Sequence, residues 1–163
     1  MSENYVHHLA SPLPLAAAET IITTALHAAQ QAKLLPLTIA VLDGGGHLIA
    51  FRRQDGSGIL RPEIAIGKAW GALGMGISSR HIRNRLQERP AFQNALAAAS
   101  HGRFIPVPGG VLVRLHSGEV VGAVGVSGDT SDKDEYCAIT GIKAAGFVPH
   151  PEEPAPDWHA TGL

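Results

Sequence analysis

Apolar positions along the chain change their period several times, and each change marks an element. Leu15, Ala18, Ile22, Ala25, Leu26 and Ala29 recur at helical spacing, with Thr20, Thr23, Thr24, His27, Gln30 and Gln31 on the other face. The pattern predicts a helix over residues 13–33, opened near Pro14 and stopped by Pro36. Residues 37–42 form a short, nearly continuous apolar run with β-branched members, which reads as a buried strand. Asp43-Gly44-Gly45-Gly46 supplies a turn, and residues 47–53 return as the second strand of a hairpin.

Residues 61–75 read as a helix that opens with Pro62 and Glu63, both suited to a helix start. Gly67, Gly71 and Gly74 fall on one face of it, each costing about 1 kcal/mol relative to alanine. Such a face requires close packing by another backbone or by a flat ligand. Ser78 or Ser79 caps a short basic helix through Leu86, and residues 92–100 form another that ends at Gly102. Residues 104–108 are extended; 111–115 and 119–126 read as strands around a turn at His116-Ser117-Gly118. A capping-box-like start at Ser131-Asp132-Lys133-Asp134 leads into a last helix to about Ala145. The order of elements, with its hairpins, predicts an α+β fold carrying an antiparallel sheet. Residues 1–148 read as a single domain, followed by a proline-rich tail, 149–163, that is extended and docks on a neighbour or is disordered.

Composition narrows the function classes. The 163 residues are 45% hydrophobic and 17% charged, with a net charge of −1, so no overall field favours nucleic acid or a membrane surface. Cys137 is the one cysteine, which excludes an internal disulfide, and its apolar neighbours mark a buried, inert thiol. The first residues lack a signal-peptide pattern, and no apolar run approaches the roughly 20 residues a bilayer requires. These features predict a cytoplasmic protein, and the abundance of small uncharged residues points to a homo-oligomer.

Several residues carry candidate chemistry. Lys68 lies among alanines and glycines with few charges on its own helix; it is either a base, imine former or acid binder, or the partner of Asp43 or Asp55. Arg80, with His81, Arg83, Arg85 and Arg89, suits carboxylates, a solvated helix face or a subunit contact. The acids Asp129, Asp132, Asp134 and Glu135 either hold a hard cation or favour the first turn of the last helix. No histidine pair has zinc-helix spacing.

Val41-Leu42-Asp43-Gly44-Gly45-Gly46-His47-Leu48 and Arg53-Gln54-Asp55-Gly56-Ser57 resemble the "D-x-x-G" turn and "R-x-D-G" loop of the GlcG/HbpS-like haem-degrading family, which is related to the PduO C-terminal domain. Residues 64–69 are similar to its "I-A-x-x-K-A" helix. Residues 109–113 and 121–128 resemble its "G-G" and "G-A-[IV]-G-V-S-G" strands, with Asp134 at the acidic position beyond. Ser57, where relatives often carry alanine, and the insert-like segment 78–103 depart from the pattern.

The resemblance implies a profilin-like, three-layer α/β/α arrangement around a five-stranded antiparallel sheet, homo-oligomers, and haem as cofactor. Under a haem- or tetrapyrrole-binding reading linked to haem turnover, His27 is the axial metal ligand, Gly67 and Gly71 lie against the plane, and Arg80 meets a propionate; a solvated surface role for His27 stays open. Under a second reading, a small-molecule enzyme or accessory factor in hydroxy-acid or aromatic-acid breakdown, Asp43, Arg53, Asp55, Glu63 and Lys68 form the polar end of a pocket. Glu63 or Asp55 is then the base and Lys68 or Arg53 the carboxylate anchor. A third reading is a non-catalytic assembly subunit.

Overall fold

The computed structural model describes residues 6–163; the absence of a signal peptide was read partly on residues 1–5, outside that range. Helix α1 (Leu15–Gln31) is followed by a hairpin of β1 (Thr38–Asp43) and β2 (Leu48–Arg53). Helices α2 (Arg61–Met75), α3 (Ser79–Leu86) and α4 (Pro90–Ala99) come next. Strands β3 (Gly110–Arg114) and β4 (Val120–Ser127), helix α5 (Ser131–Ala144), strand β5 (Val148–His150) and a short 3-10 turn (Trp158–Ala160) complete the chain. All paired strands are antiparallel, in the order β2-β1-β4-β3-β5, with β2 and β5 at the edges.

The alternation along each strand divides the core. Ile39, Val41, Val111, Val113, Val124 and Val126 meet the apolar faces of α1 and α5 on one side of the sheet. Leu42, Leu112 and Ala123 meet Ala69 and Ala72 of α2 on the other. The result is an α+β fold in three layers, a five-stranded antiparallel sheet between helices.

Helix α2 lies very close to the sheet. Gly125 sits beneath the carbonyl of Ala65, with Ala69 Cβ only 3.1 Å from where a methyl would stand. Gly110 lies beneath the Lys68 carbonyl in the same way. The Gly67 and Gly71 face turns instead to the chain's own segment 103–105: a Cβ on Gly67 would meet the Arg103 carbonyl at 3.0 Å, and one on Gly71 would meet Phe104 at 3.1 Å. The glycine face is therefore filled by the chain itself, by the Ile105 and Phe104 side chains together with the Arg103 backbone.

Three other expectations need correction. The last helix is preceded by Thr130, whose side chain makes no cap bond; Asp134 instead reaches back to the Asp129 amide at 3.0 Å. The tail contributes to the sheet, because Val148–His150 pairs with β3 in register Leu112↔His150, Val113↔Pro149 and Arg114↔Val148. Pro149 is compatible with this because an edge strand need not donate on its outer side. The rest of the tail folds back on its own α5: Trp158 stacks on Tyr136 with ring centroids 3.7 Å apart, and Thr161 Oγ1 lies 2.7 Å from Thr130 Oγ1.

Candidate functional site

The hairpin residues serve the hairpin. The Asp43 carboxylate accepts bonds from the amides of Gly45 and His47, both at 2.9 Å, and these amide bonds, His47's foremost, hold its pKa below the usual value. Arg53 is exposed at the end of β2. Gln54 fixes the start of β1 by accepting the Leu37 amide at 2.7 Å, and Ser57 lies 2.8 Å from the Thr38 hydroxyl, so this departure from the family pattern is a buried structural contact.

His27 and Asp55 line a cavity of about 630 Å³ between the second half of α1 and the loops that follow α1 and β2. Leu26, Ala29, Leu34 and Pro36 form its apolar side, and Lys33 supplies a cation. The His27 imidazole is exposed and makes no hydrogen bond among the described residues.

Lys68 lies elsewhere. Sheet order places β4 between β1 and β3, so the start of α5 emerges beside the middle of α2. Lys68 Nζ donates to Asp134 Oδ2 at 3.0 Å and to the Val126 carbonyl at 2.9 Å, with the two side chains only 2% and 1% exposed. Its partner is therefore Asp134, and neither Asp43 nor Asp55. Burial lowers the lysine pKa and raises that of the aspartate, each opposed by the other's charge. Gly109, at φ +115°, and Gly110 leave room for this side chain: a Cβ on Gly109 would stand 2.9 Å from Nζ. Glu63 and Lys68 share a second cavity, about 490 Å³, with Arg61, Ser127, Ser131 and Asp134. The proposed acid pocket is thus divided: Glu63 and Lys68 come together, while Asp43, Arg53 and Asp55 stand apart from them.

Arg80 faces a third place. It donates to the Glu153 carbonyl at 2.9 Å and approaches Glu135 with Nε 3.4 Å from Oε1. Glu135 is fully buried and neither carboxylate oxygen accepts a hydrogen bond among the described residues. Burial pushes its carboxyl up to about 7, against the pull of Arg80. His81 stacks on His150 beside it, with centroids 4.9 Å apart, and burial followed by neighbouring charge lowers both imidazoles. Of the other acids near α5, Asp129 accepts the amides of Leu35 and Thr130 at 2.9 and 2.8 Å. Among the described residues no three metal-ligating side chains are grouped to hold an ion. Cys137 is buried, and burial pushes its thiol well up.

Glu135 makes stability depend on pH in a defined sense. Its carboxyl ionises near 4.5 in the unfolded chain and near 7 in the folded one. Between these values the unfolded state holds fewer protons, so stability falls as pH rises through the window and levels off above it, by about 3 kcal/mol in full. The lowered histidines act in the opposite sense. The contribution of Glu135 is therefore the difference between parent and Glu135→Gln in urea-melt stability, expected to change across the window; a constant difference would overturn it.

Arg61 was not singled out by the pattern, and Glu135, read as a cation ligand or first-turn acid, is instead a buried carboxylate. Glu135 shares helical spacing with Ala138, Ile139 and Ile142, a signal that it faces inward. Arg61 is a cation at the first position of a helix, where the dipole disfavours one.

Comparison with known proteins places the chain. Residues 13–143 match the family model described as haem degrading protein HbpS-like. An uncharacterised 15.0 kDa protein of Citrobacter freundii, from the dhaT-dhaS intergenic region, is 30% identical over 108 residues, covering 66% of this chain and 75% of that protein. The Klebsiella pneumoniae protein ORFY superimposes with a TM-score of 0.76 at 25% identity, covering 90% of this chain and 98% of that one. The crystal structure of a PduOC–haem complex superimposes with a TM-score of 0.75 at 24% identity, covering 83% of this chain and 96% of that one. No described helix is long and apolar enough to cross a membrane. With a family model spanning most of its length and the same three-layer sheet, this chain belongs to the HbpS-like haem-degrading protein family.

Proposed function

We propose that this protein binds haem or a related tetrapyrrole in the cavity beside α1. The observation that carries the reading is His27, an exposed imidazole without a hydrogen-bond partner among the described residues, on the rim of this cavity. At about 630 Å³ the cavity falls within the roughly 300–1,000 Å³ of small-molecule and cofactor sites. Its residues suit the group: Leu26, Ala29, Leu34 and Pro36 offer apolar surface, His27 an axial nitrogen, and Lys33 a cation for a propionate. Arg80, Gly67 and Gly71 are absent from its lining, so Lys33 takes the propionate role that Arg80 was expected to fill. Bound haem would supply redox chemistry, and His27 would set how its iron is held. The haem complex of PduOC, which has the same fold, supports the reading.

The same reading takes the protein as a cytoplasmic homo-oligomer linked to haem turnover. Exposed Ile59, Leu60 and Phe92 give subunits apolar surface to share.

Titration with haemin, beside a non-binding control protein, tests the proposal. A saturable, stoichiometric shift of the Soret band at micromolar haemin or below is expected. His27→Ala should lose that shift while keeping its far-ultraviolet dichroism. Unsaturable binding, or a variant indistinguishable from the parent, would overturn the proposal.

A further inference from the structure

We propose that the second cavity, between the start of α2 and the β4–α5 connection, binds a small monocarboxylic acid with an apolar body, its carboxylate held by Arg61. This site shares no lining residue with the cavity beside α1 and does not depend on the haem reading.

The hydrogen bonds already made leave a surplus of donors. Asp134 is taken by Lys68 and the Asp129 amide, and Asp129 by the amides of Leu35 and Thr130 and by Lys133 Nζ at 3.3 Å. Of the three wall acids, Asp129 and Asp134 are thus taken, and Glu63 makes no ion pair with Arg61 among the described residues. Among the described residues the Arg61 guanidinium makes one hydrogen bond, Nη1 to the buried Ser127 hydroxyl at 3.2 Å, and no ion pair with a carboxylate. A guanidinium carries five N–H groups, so most of its fork stays free beside the cavity. Lys68 has spent two of its three N–H groups on Asp134 and Val126, and Ser127 keeps its own proton. The Ser131 hydroxyl and the first-turn amides of α5 add further donors.

Placement of Arg61 strengthens the case. It is the first residue of α2, where the helix dipole disfavours a cation, and a bound anion would relieve that cost. The planar fork selects a carboxylate in bidentate geometry. Charge on the walls argues against a dianionic phosphate. Lys68 is paired with Asp134 and Lys133 with Asp129, and Glu63 adds a negative charge to the wall, so Arg61 is the one cation left for an anion and none remains for a second negative charge. Leu60, Ile64, Ile105 and Val107 supply the apolar part of the lining, which suits an apolar body. A cavity of about 490 Å³ accommodates a ring or branched chain.

Benzoate is the probe, followed by calorimetry on the full chain, with benzyl alcohol and inorganic phosphate as comparisons. Saturable benzoate binding is expected, with none for benzyl alcohol and far weaker binding of phosphate. Arg61→Gln should weaken benzoate on the order of ten- to a hundredfold, the loss of a charged, paired contact. Arg61→Lys, which keeps the charge and loses the fork, should fall between them, and it serves as the test should Arg61→Gln not fold. His27→Ala should bind benzoate as the parent does, which separates this site from the haem proposal. Absent benzoate binding, equal binding by the Arg61 variants, or phosphate binding as tightly as benzoate would overturn the inference.

Discussion

Replacing Lys68 by methionine is expected to lower stability by about 3–5 kcal/mol, because it leaves the Asp134 carboxylate in an apolar interior without its countercharge. The lysine stem crosses the glycine seam and its ammonium ends 3.0 Å from Asp134. Methionine matches the stem in volume, so the loss reports the charge and not a cavity. Asp134→Asn removes the other partner and should cost a comparable amount. The double variant Lys68→Met with Asp134→Leu has no charge to strand and should recover most of the loss, since buried pairs are often replaceable by apolar residues of similar size. Urea melts at neutral pH measure all three. A single Lys68→Met variant as stable as the parent would show that the pair contributes nothing. A double variant as unstable as either single one would show that lost packing was responsible.

Gly125→Ala is expected to be as damaging by a different route. The added methyl would occupy the place of the Ala65 carbonyl, with the Ala65 carbonyl carbon itself 2.7 Å away. Backbone on both sides cannot rotate aside as a side chain can, so α2 must lift from the sheet. Overpacking costs typically 1–3 kcal/mol where side chains can adjust, and a backbone obstruction exceeds about 3 kcal/mol. Lifting α2 also draws Lys68 away from Asp134, so the variant should lose both the fit and the ion pair. Gly118→Ala is the control for glycine replacement in general, since nothing lies within contact of its added methyl, although its φ of +106° carries a local cost of its own. The measurement is thermal unfolding of both variants, and equal small losses would remove close packing as the cause.

Much of this arrangement could be read before any coordinates. Pro62 and Glu63 mark the start of α2, and Asp43 through Gly46 mark the hairpin turn, because these signals act on the backbone locally. The family motifs carried the sheet and its layers. What escaped was non-local. Lys68 and Asp134 lie 66 residues apart and meet only because β4 runs between β1 and β3. With the pairing order unknown, the hairpin acids Asp43 and Asp55 stood as its candidate partners. Strand β5 escaped for another reason: three residues containing a proline have neither length nor alternation. Glu135 lay within a run of charge whose composition suggests solvent, and only its spacing with Ala138 and Ile142 gives away its burial.

The two edges of the sheet differ in a way that bears on growth. At β5 the strand is three residues long and Pro149 and Pro151 carry no N–H, so a further strand would find almost nothing to pair with. At β2 six residues without a proline present an edge that is irregular at Ile49 and regular over residues 50–53. Strand addition in this molecule is therefore one-ended. Two copies joined edge to edge through β2 would bury both receptive edges at once and expose only the two unreceptive ones. Such a union closes at a pair and gives no template for a fibre.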